Sequence, residues 1–326
     1  MMKTLKFIIT PFFFLIVMIR NKLYDWKLLP IINSNIPIVS VGNIQVGGSG
    51  KTPFVIALIK QLIQNNINPI IITRGYKRNT NHQIILNNIE KYSAQAVGDE
   101  PYYMKQVLKN TLIIIDHNKK NAIKTANQLQ NIDCIILDDG FQSRYLNKNL
   151  DIVLINTFPK KNNLMLMPNG YLREPISSLT RSHFIYTTKG KSAFQEFGAK
   201  HLEFNFKIIK YKNGKVEKNI KNNLLSPLIA FCGIANSKHF LSQLSNMNIK
   251  FEQCIKFENH LQYNKLNYEK LKNYNPNHLS FITTYKDFVK LDDEFKDGYT
   301  IYVLEMNLEL NDQKLINKIK GLLNEN

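Results

Sequence analysis

A glycine-rich turn that runs into a lysine and a threonine is the part of this sequence best equipped for chemistry. An apolar run at 36–41 precedes it and an amphipathic stretch at 54–62 follows it, the strand–loop–helix order typical of a phosphate-binding loop. In such a loop, backbone N–H groups and the positive end of the helix dipole face the phosphates of a nucleotide. The candidate nucleotide-binding residues are Gln45, Val46, Gly47, Gly48, Ser49, Gly50, Lys51 and Thr52. The sequence therefore predicts binding of a nucleoside triphosphate.

Two residues of this turn would act directly on the triphosphate. The Lys51 ammonium would reach the β- and γ-phosphates, and the Thr52 hydroxyl would ligate Mg²⁺. Gln45 stands where the strict phosphate-loop pattern has its first glycine, so the alternative is an ordinary glycine-rich turn. The flanking strand and helix favour the phosphate-binding interpretation.

A carboxylate that holds Mg²⁺ is expected at the end of an apolar strand in this kind of protein. Asp138 and Asp139 directly follow the apolar run 134–137, although a polar strand end before a turn would look similar. A second acidic pair, Asp99 and Glu100, precedes a helical segment. Spacing alone fits a helix cap with an acidic first turn as well as it fits a functional pair.

Three further segments carry groups suited to an anionic substrate. Residues 74–78 form a compact cationic stretch after a predicted strand, which suits phosphate but also a solvated basic loop. Arg173 and Glu174 lie in a loop bracketed by prolines, where they would face a site or pair with each other. His260 taken alone is more typical of a structural or solvated histidine.

Apolar runs and helical patterns alternate along the chain, which predicts a parallel sheet covered by helices. A second α/β pattern begins near residue 227, and Asn213-Gly214 predicts a β-hairpin before it. The predicted fold class is α/β, with a P-loop NTPase-type parallel-sheet domain, a smaller α/β domain joined by a β-hairpin hinge, and an N-terminal membrane-associated helix. The predicted boundaries are 1–30 for the helix, 31–205 for the P-loop domain, 206–225 for the hinge and 226–326 for the smaller domain.

Composition limits the classes of partner. The chain of 326 residues carries a net charge of +18, with 43 Lys and Arg against 25 Asp and Glu, which favours an anionic partner. The basic residues are spread along the chain and form no recognised nucleic-acid module, so nucleic acid is not the expected partner. Cys134, Cys232 and Cys254 are odd in number and widely spaced, which predicts reduced thiols and no disulfide or metal site.

The N-terminal segment is apolar from 7 to 19 and is flanked by basic residues. It is shorter than the roughly 20 residues of a membrane span, contains Pro11 and is followed by no small-residue cleavage site. Tyr24 and Trp26 come next, as in an interfacial anchor. A buried helix is the alternative, and we expect a protein at a membrane surface that faces the cytoplasm.

Taken in order, these motifs resemble those of the tetraacyldisaccharide 4′-kinases, the lipid A 4′-kinases of Gram-negative bacteria. The matching segments are 41–44, 46–53, 74–76, 98–101, 138–142, 172–175, 233–236, His260 and 282–287. The loop of that family also lacks the first glycine, which accounts for Gln45. The resemblance covers nearly the whole chain, including the apolar N-terminal helix.

The resemblance implies transfer of the γ-phosphoryl group of ATP to the 4′-hydroxyl of tetraacyldisaccharide 1-phosphate, giving lipid IVA at the cytoplasmic face of the bacterial inner membrane. ATP and Mg²⁺ are the implied cofactors, and the lipid and the membrane surface are the implied partners. Asp99 and His260 would form a catalytic pair that orients the sugar hydroxyl and accepts its proton, with Lys51 at the phosphates. The implied metal-site residues are Thr52, Glu100, Asp138 and Asp139, and the substrate-binding residues are Arg74, Tyr76, Lys77, Arg173 and Glu174.

Three positions depart from the family pattern, with Ser143 in place of His, Asn259 in place of Asp and Tyr285 in place of Glu. Two other function classes stay open on the residues alone. A membrane-associated P-loop ATPase acting as a switch or assembly factor would hydrolyse ATP without lipid. A basic nucleic-acid-binding protein would bind in a salt-sensitive way that ignores ATP.

Overall fold

A computed structural model of the chain describes residues 2–156, 165–189, 194–213, 215–218, 224, 228–234, 237–258, 261–274 and 280–324. The strands are β1 Ile38–Gly42, β2 Pro69–Thr73, β3 Ile84–Leu86, β4 Ile113–Ile115, β5 Cys134–Asp138, β6 Leu150–Asn156, β7 Phe184–Lys189, β8 Lys200–His201, β9 Phe204–Lys212, β10 Lys215–Lys218, β11 Ile229–Cys232, β12 Gln253–Lys256, β13 Ser280–Thr284 and β14 Thr300–Leu308. The helices are α1 Met2–Asp25, α2 Lys51–Gln64, α3 Ala94–Val97, α4 Asp99–Val107, α5 Lys119–Ala126, α6 Ser237–Asn246, α7 Lys265–Asn273, α8 Tyr285–Phe288, α9 Asp293–Gly298 and α10 Gln313–Asn324.

The chain divides into two compact units. The first contains residues 1–97, 104–203 and 308–326, and the second contains 98–103 and 204–307. The helix α10 belongs to the first unit and the segment 98–103 to the second, whereas the predicted boundaries, 31–205 and 226–326, follow the chain without such exchanges. Asp312, just before α10, accepts a hydrogen bond from the Tyr186 hydroxyl (2.7 Å) and pairs with Lys200, which fixes that helix there.

The first unit is built on a sheet with the strand order β3-β4-β2-β5-β1-β6-β7-β8. Its neighbouring strands are parallel except for β3, which runs antiparallel to β4. The central strands are Ile-, Leu- and Val-rich and fully buried, as expected where helices cover both faces of a parallel sheet. The predicted parallel α/β fold is therefore confirmed. Strands β2, β5 and β1 are neighbours, so their carboxyl ends meet at one edge.

The second unit contains a sheet with the order β10-β9-β14-β13-β11-β12. Strands β11, β12, β13 and β14 pair in parallel, and β9 and β10 form the predicted hairpin, with Lys212 opposite Lys215. The sequence assigned this hairpin to a connector, whereas the structure makes its two strands part of the second sheet. An aromatic core around Phe231, Phe281 and Phe295 packs on one face of that sheet.

Helix α1 has both packed and exposed apolar side chains. Val17 is buried, and Phe13 packs against a cluster that includes Phe141 and Leu172 of the first unit. Phe12 and Ile16 are each 65% exposed. Within the described ranges, no helix has the combination of length and apolar character that crossing a bilayer requires.

Candidate active site

The predicted phosphate-binding loop connects the carboxyl end of β1 to the first turn of α2. Gly47 (φ +107°) and Gly50 (φ +77°) adopt left-handed conformations that favour glycine. Gly50 is the N-cap residue of α2, and as a glycine it has no side chain that could bond to the N–H groups of the first turn. The N–H groups at the start of a helix attract an anion, so the loop has the backbone of a phosphate site.

Contacts from the rest of the first unit hold this loop in place. The Val46 N–H donates to the Tyr171 carbonyl and the Arg173 N–H to the Ile44 carbonyl, both at 2.7 Å. Gln45 is buried and forms an antiparallel bridge with Leu172. An extended bridge position accepts any residue, which is the physical reason why a glycine is not needed there.

Asp138 and Asp139, at the end of β5, point to different partners. Asp138 accepts a hydrogen bond from the Thr73 hydroxyl at the end of β2 (2.9 Å). Asp139, in a left-handed conformation (φ +50°), lies 3.4 Å from Lys51 Nζ and 3.1 Å from the Arg173 guanidinium. The structure thus brings the loop lysine, the strand-end aspartates and Arg173 together.

The charge of Asp139 follows from these neighbours. Burial raises the pKa of this carboxyl, but the positive charges of Lys51 and Arg173 outweigh burial and lower the pKa to about 2. Asp139 is therefore ionised throughout the physiological range, and its carboxylate oxygens face two cations.

A buried lysine that sequence reasoning missed supports the same turn. Lys119, 0% exposed, donates to the carbonyls of Asp138 (3.0 Å) and Asp139 (2.6 Å). Burial lowers the pKa of Lys119 to about 8, against the opposing effect of the two aspartates. The sequence showed only a helical pattern from 118 onward. A lysine in the first helical turn, where an acidic residue is usual, was the one available signal.

A pocket of about 380 Å³ adjoins the Asp139 carboxylate in the first unit. Three arginines contribute to it, from α1, the loop after β2 and the loop after β6. Its lining is Arg20, Tyr24, Arg74, Asp139, Gln142, Ser143, Tyr145 and Arg173. Arginine forks bind phosphate well, so the pocket suits an anionic group. Arg74 and Arg173 were among the predicted substrate residues.

Glu174, also predicted to contact substrate, is buried in an ion network of the protein itself. Its carboxylate accepts from Arg181 (2.7 Å), Asn21 (2.9 Å) and Gln142 (3.2 Å). Burial raises its pKa, yet Arg181 and the other donors together hold it below the usual value. The Gln142 amide also donates to the Asn43 carbonyl (2.9 Å). Glu174 thus links helix α1 to the base of the phosphate-binding loop.

The residues of the cationic stretch 74–78, after β2, have different surroundings. Gly75 (φ +64°) makes a tight turn, and Arg78 is buried and donates to the Ile115 carbonyl at 3.2 Å, a structural contact. Tyr76 is exposed, and the Lys77 ammonium lies 5.9 Å from the centre of its ring. Arg74 is the residue of this stretch that lines the pocket.

The second acidic pair lies in the second unit, in the first turn of α4. Asp99 is buried, and its Oδ2 atom lies 4.0 Å from the Lys290 ammonium. Glu100 forms an ion pair with Lys286 at 2.6 Å. The predicted partner of Asp99, His260, and the neighbouring Asn259 lie outside the described residues.

Nearly the whole sequence matches a family model. The model of the family described as tetraacyldisaccharide-1-P 4′-kinase matches residues 3–324 of the chain. This chain belongs to the tetraacyldisaccharide-1-P 4′-kinase family. The resemblance stated on the motifs is confirmed, and the chain is a member of a family of phosphotransferases.

Individual members of the 4′-kinase family align over most of the chain. A tetraacyldisaccharide 4′-kinase from Aquifex aeolicus is 30% identical over 318 residues, 95% of this chain and 96% of that protein. One from Legionella pneumophila is 33% identical over 280 residues, 85% of this chain and 81% of that protein. The crystal structure of the "apo" form of LpxK from Aquifex aeolicus in complex with ATP superposes with a TM-score of 0.79. It is 27% identical and covers 99% of each chain.

Two of the three departures from the family pattern lie among described residues. Ser143 is buried with its hydroxyl 3.5 Å from Lys119 Nζ. Tyr285 packs on the Tyr103 ring, with centroids 4.4 Å apart, and burial raises the pKa of its phenol.

Within the described part of the chain, no group of three or more His, Cys, Asp or Glu side chains is arranged to hold a metal ion.

Proposed function

We propose that this chain transfers the γ-phosphoryl group of ATP to the 4′-hydroxyl of tetraacyldisaccharide 1-phosphate, giving lipid IVA. Membership of the 4′-kinase family supports this, as does the likeness to the Aquifex aeolicus protein, whose crystal structure is a complex with ATP. The observation that carries the proposal is the cluster at the phosphate-binding loop, where Asp139 lies 3.4 Å from Lys51 and 3.1 Å from Arg173.

The loop residues bind and orient the nucleotide. The Val46 N–H is already bonded to the Tyr171 carbonyl. The other N–H groups of residues 45–52 and of the first turn of α2 would receive the phosphates. The Lys51 ammonium, which lies beside Asp139, would reach the β- and γ-phosphates. Phosphoryl transfer depends mainly on positioning and charge neutralisation, so these contacts supply most of what the nucleotide half of the reaction needs.

The donor set at this edge of the sheet fits Mg²⁺. Thr52 offers a hydroxyl at the start of α2, and Asp138 and Asp139 offer carboxylates, the hard oxygen ligands that Mg²⁺ prefers. Asp139 is ionised, as a metal ligand must be. Glu100, which the family resemblance adds to this set, is paired with Lys286. When bound, Mg²⁺ would neutralise negative charge on the transferring phosphoryl group.

The acceptor half of the reaction needs a base and a phosphate receptor. In the proposal, Asp99 together with His260 orients the 4′-hydroxyl and takes its proton. The pocket lined by Arg20, Arg74 and Arg173 receives the 1-phosphate of the disaccharide, with Tyr76 and Lys77 at the exposed end of the neighbouring loop. Glu174 bonds to Asn21 of α1 and to Gln142, and it thereby holds two parts of the pocket lining in place.

The proposed location is the cytoplasmic face of the bacterial inner membrane. Helix α1 supports it, because its exposed Phe12, Leu15, Ile16 and Ile19 are followed by the basic residues Arg20 and Lys22. An apolar face beside cationic side chains binds at a lipid–water interface.

Transfer of labelled γ-phosphate from Mg·ATP to tetraacyldisaccharide 1-phosphate in detergent tests the proposal. We expect lipid-dependent product that falls at least about 100-fold in Lys51→Ala, because one positioned charge contributes several kcal/mol to a phosphoryl transition state. Lys60→Ala, at an exposed position of the same helix, is the matched control and should retain full activity.

The alternative function, an ATPase without a lipid acceptor, predicts the opposite result in the same assay. A P-loop ATPase that acts as a switch would hydrolyse ATP at the same rate with and without the lipid. Lipid-independent hydrolysis with no phosphorylated lipid would therefore overturn the kinase proposal.

A further inference from the structure

The segment 282–287 of the second unit matches a family motif but had no assigned role. It ends β13 and begins α8, where the Thr284 hydroxyl accepts from the Asp287 N–H (3.2 Å) and caps the helix. The same hydroxyl donates to Asp287 Oδ2 at 2.8 Å. Asp287 is completely buried. The motif therefore places one fixed carboxylate in the interior of the second unit.

Lys290 is the cation that faces this carboxylate. Its side chain is 1% exposed, and its ammonium lies 3.1 Å from Asp287 Oδ1 and 4.0 Å from Asp99 Oδ2. The same ammonium lies 5.6 Å from the centre of the Tyr263 ring. One buried ammonium thus stands between two carboxylates, one of which is the proposed catalytic base.

The backbone around Asp287 leaves little room for this carboxylate to move. A Cβ at Gly233 would lie 3.1 Å from Asp287 Oδ1 and 3.0 Å from the Glu258 carbonyl, so a larger residue would press on the carboxylate. Gly233 begins another of the family motifs, 233–236. Buried charges persist only when they are paired, so Asp287 holds Lys290, and Lys290 in turn faces Asp99.

We propose that Lys290 is a positioning residue that holds the Asp99 carboxylate in the orientation in which it accepts the proton of the acceptor hydroxyl, with Asp287 holding Lys290. The inference rests on the proposed function. In that reaction the hydroxyl O–H bond breaks, the proton goes to Asp99, the oxygen bonds to the γ-phosphorus, and the bond from that phosphorus to the ADP oxygen breaks. Lys290 transfers nothing and acts by fixing the base.

A charge-neutral double variant tests this role. Lys290→Met with Asp287→Asn removes both members of the buried pair, so neither is left facing the neutralised partner, and the fold should be kept. The change under test is that Asp99 loses the ammonium that faces it. We expect kcat to fall at least 10-fold, because a misplaced base loses most of its effect. The KM for ATP should stay within twofold, because the phosphate-binding loop lies in the first unit. A kcat within twofold of wild type in the folded double variant would overturn the inference.

The second unit offers a matched control. Asp293 and Lys296 form the same i,i+3 pair at 3.2 Å, with Asp293 92% exposed. Lys296→Met with Asp293→Asn makes the identical chemical change away from Asp99 and should leave kcat and KM within twofold. An equal loss of kcat in this control would show that the effect is not specific to Lys290.

Two further variants keep the inference testable if the double variant loses its thermal unfolding transition. Lys290→Arg retains the charge and should recover at least half of the wild-type kcat. Lys290→Gln retains a donor without the charge and should lose at least fivefold in kcat at unchanged KM for ATP. Equal kcat in these two variants would overturn the role of the charge. Absence of lipid-dependent transfer by the wild type would overturn the proposed function itself, a separate result.

Discussion

At the scale of single residues, buried lysines hold backbone carbonyls and carboxylates in place in this protein. Lysine is seldom buried, because removing an ammonium from water is unfavourable unless partners replace the water. Lys119 is paired with the carbonyls at the end of β5, and Lys290 with two carboxylates. Lys105 is also buried and donates to the Thr111 carbonyl (2.8 Å). The first two fix a turn and a carboxylate that carry proposed functions.

The lowered pKa of Lys119 predicts a specific pH dependence of stability. Its pKa falls from 10.5 to about 8 on folding, so between these values the unfolded chain binds more protons than the native one. Stability rises with pH wherever that holds. The free energy of unfolding of the wild type should therefore rise relative to Lys119→Met as pH increases from about 8 to about 10.5. The full change is about 3.5 kcal/mol, at about 1.4 kcal/mol per pKa unit.

Urea denaturation of both proteins between pH 7.5 and 10 measures this difference. Lys120→Met, at the exposed neighbouring position, removes an equal charge and should show a constant difference from wild type. A constant difference for Lys119→Met as well would contradict the burial argument.

At the scale of elements, the site depends on turns that follow parallel strands. The loop after β1 supplies the phosphate site, the turn after β5 supplies the aspartates, and the turn after β2 carries Arg74. Gly47 and Gly50 in the first of these turns, and Gly75 in the last, are left-handed. A strand end can present a side chain to a site only if the backbone after it leaves room.

The Gly75 turn gives a matched test of that requirement. A Cβ at Gly75 (φ +64°) would lie 2.6 Å from Ile115 Cγ2 and 2.7 Å from the Val97 carbonyl. We expect Gly75→Ala to lower the free energy of unfolding by about 3 kcal/mol, from backbone strain plus overpacking.

Gly198 has a similar φ of +70°, but a Cβ there would have no neighbour within 4 Å. Gly198→Ala should therefore show the strain alone, about 1 kcal/mol. Equal losses in the two variants, measured by chemical denaturation, would rule out crowding as the reason for glycine at 75.

At the scale of the whole molecule, charge and exposed apolar surface act together. The net charge of +18 favours approach to anionic lipid, and α1 exposes large apolar side chains. Electrostatic attraction alone would be weak and salt-sensitive, whereas burial of apolar side chains adds a term that salt does not screen.

Vesicle flotation tests the proposed membrane contact. Phe12→Ser with Ile16→Ser, both 65% exposed, should weaken binding to vesicles with anionic lipids at least 10-fold. Each exposed large side chain contributes about 1.5–3 kcal/mol when fully buried. Leu266→Ser, at a position 72% exposed in the second unit, is the control and should bind as wild type. Unchanged binding of the α1 variant would contradict a membrane role for that face.

The sequence by itself determined the parallel α/β fold, the phosphate-binding loop and the aspartates at the end of β5. These features are local, because hydrophobic periodicity sets strands and helices, and glycine followed by Lys51-Thr52 marks one turn. The order of the motifs along the chain identified the family to which it belongs. The roles of single residues, such as Tyr76 and Lys77, stay predictions.

Only the tertiary structure decided which charged groups meet. Lys119 reaches the β5 turn, Glu174 is enclosed by Arg181, Asn21 and Gln142, and Lys290 faces Asp99. Most of these partners are far apart along the chain. The spacing of residues in the sequence therefore cannot predict which of them are in contact. Burial then fixes their charge states, because the loss of water around an ionisable group depends on the packed interior and not on its sequence neighbours.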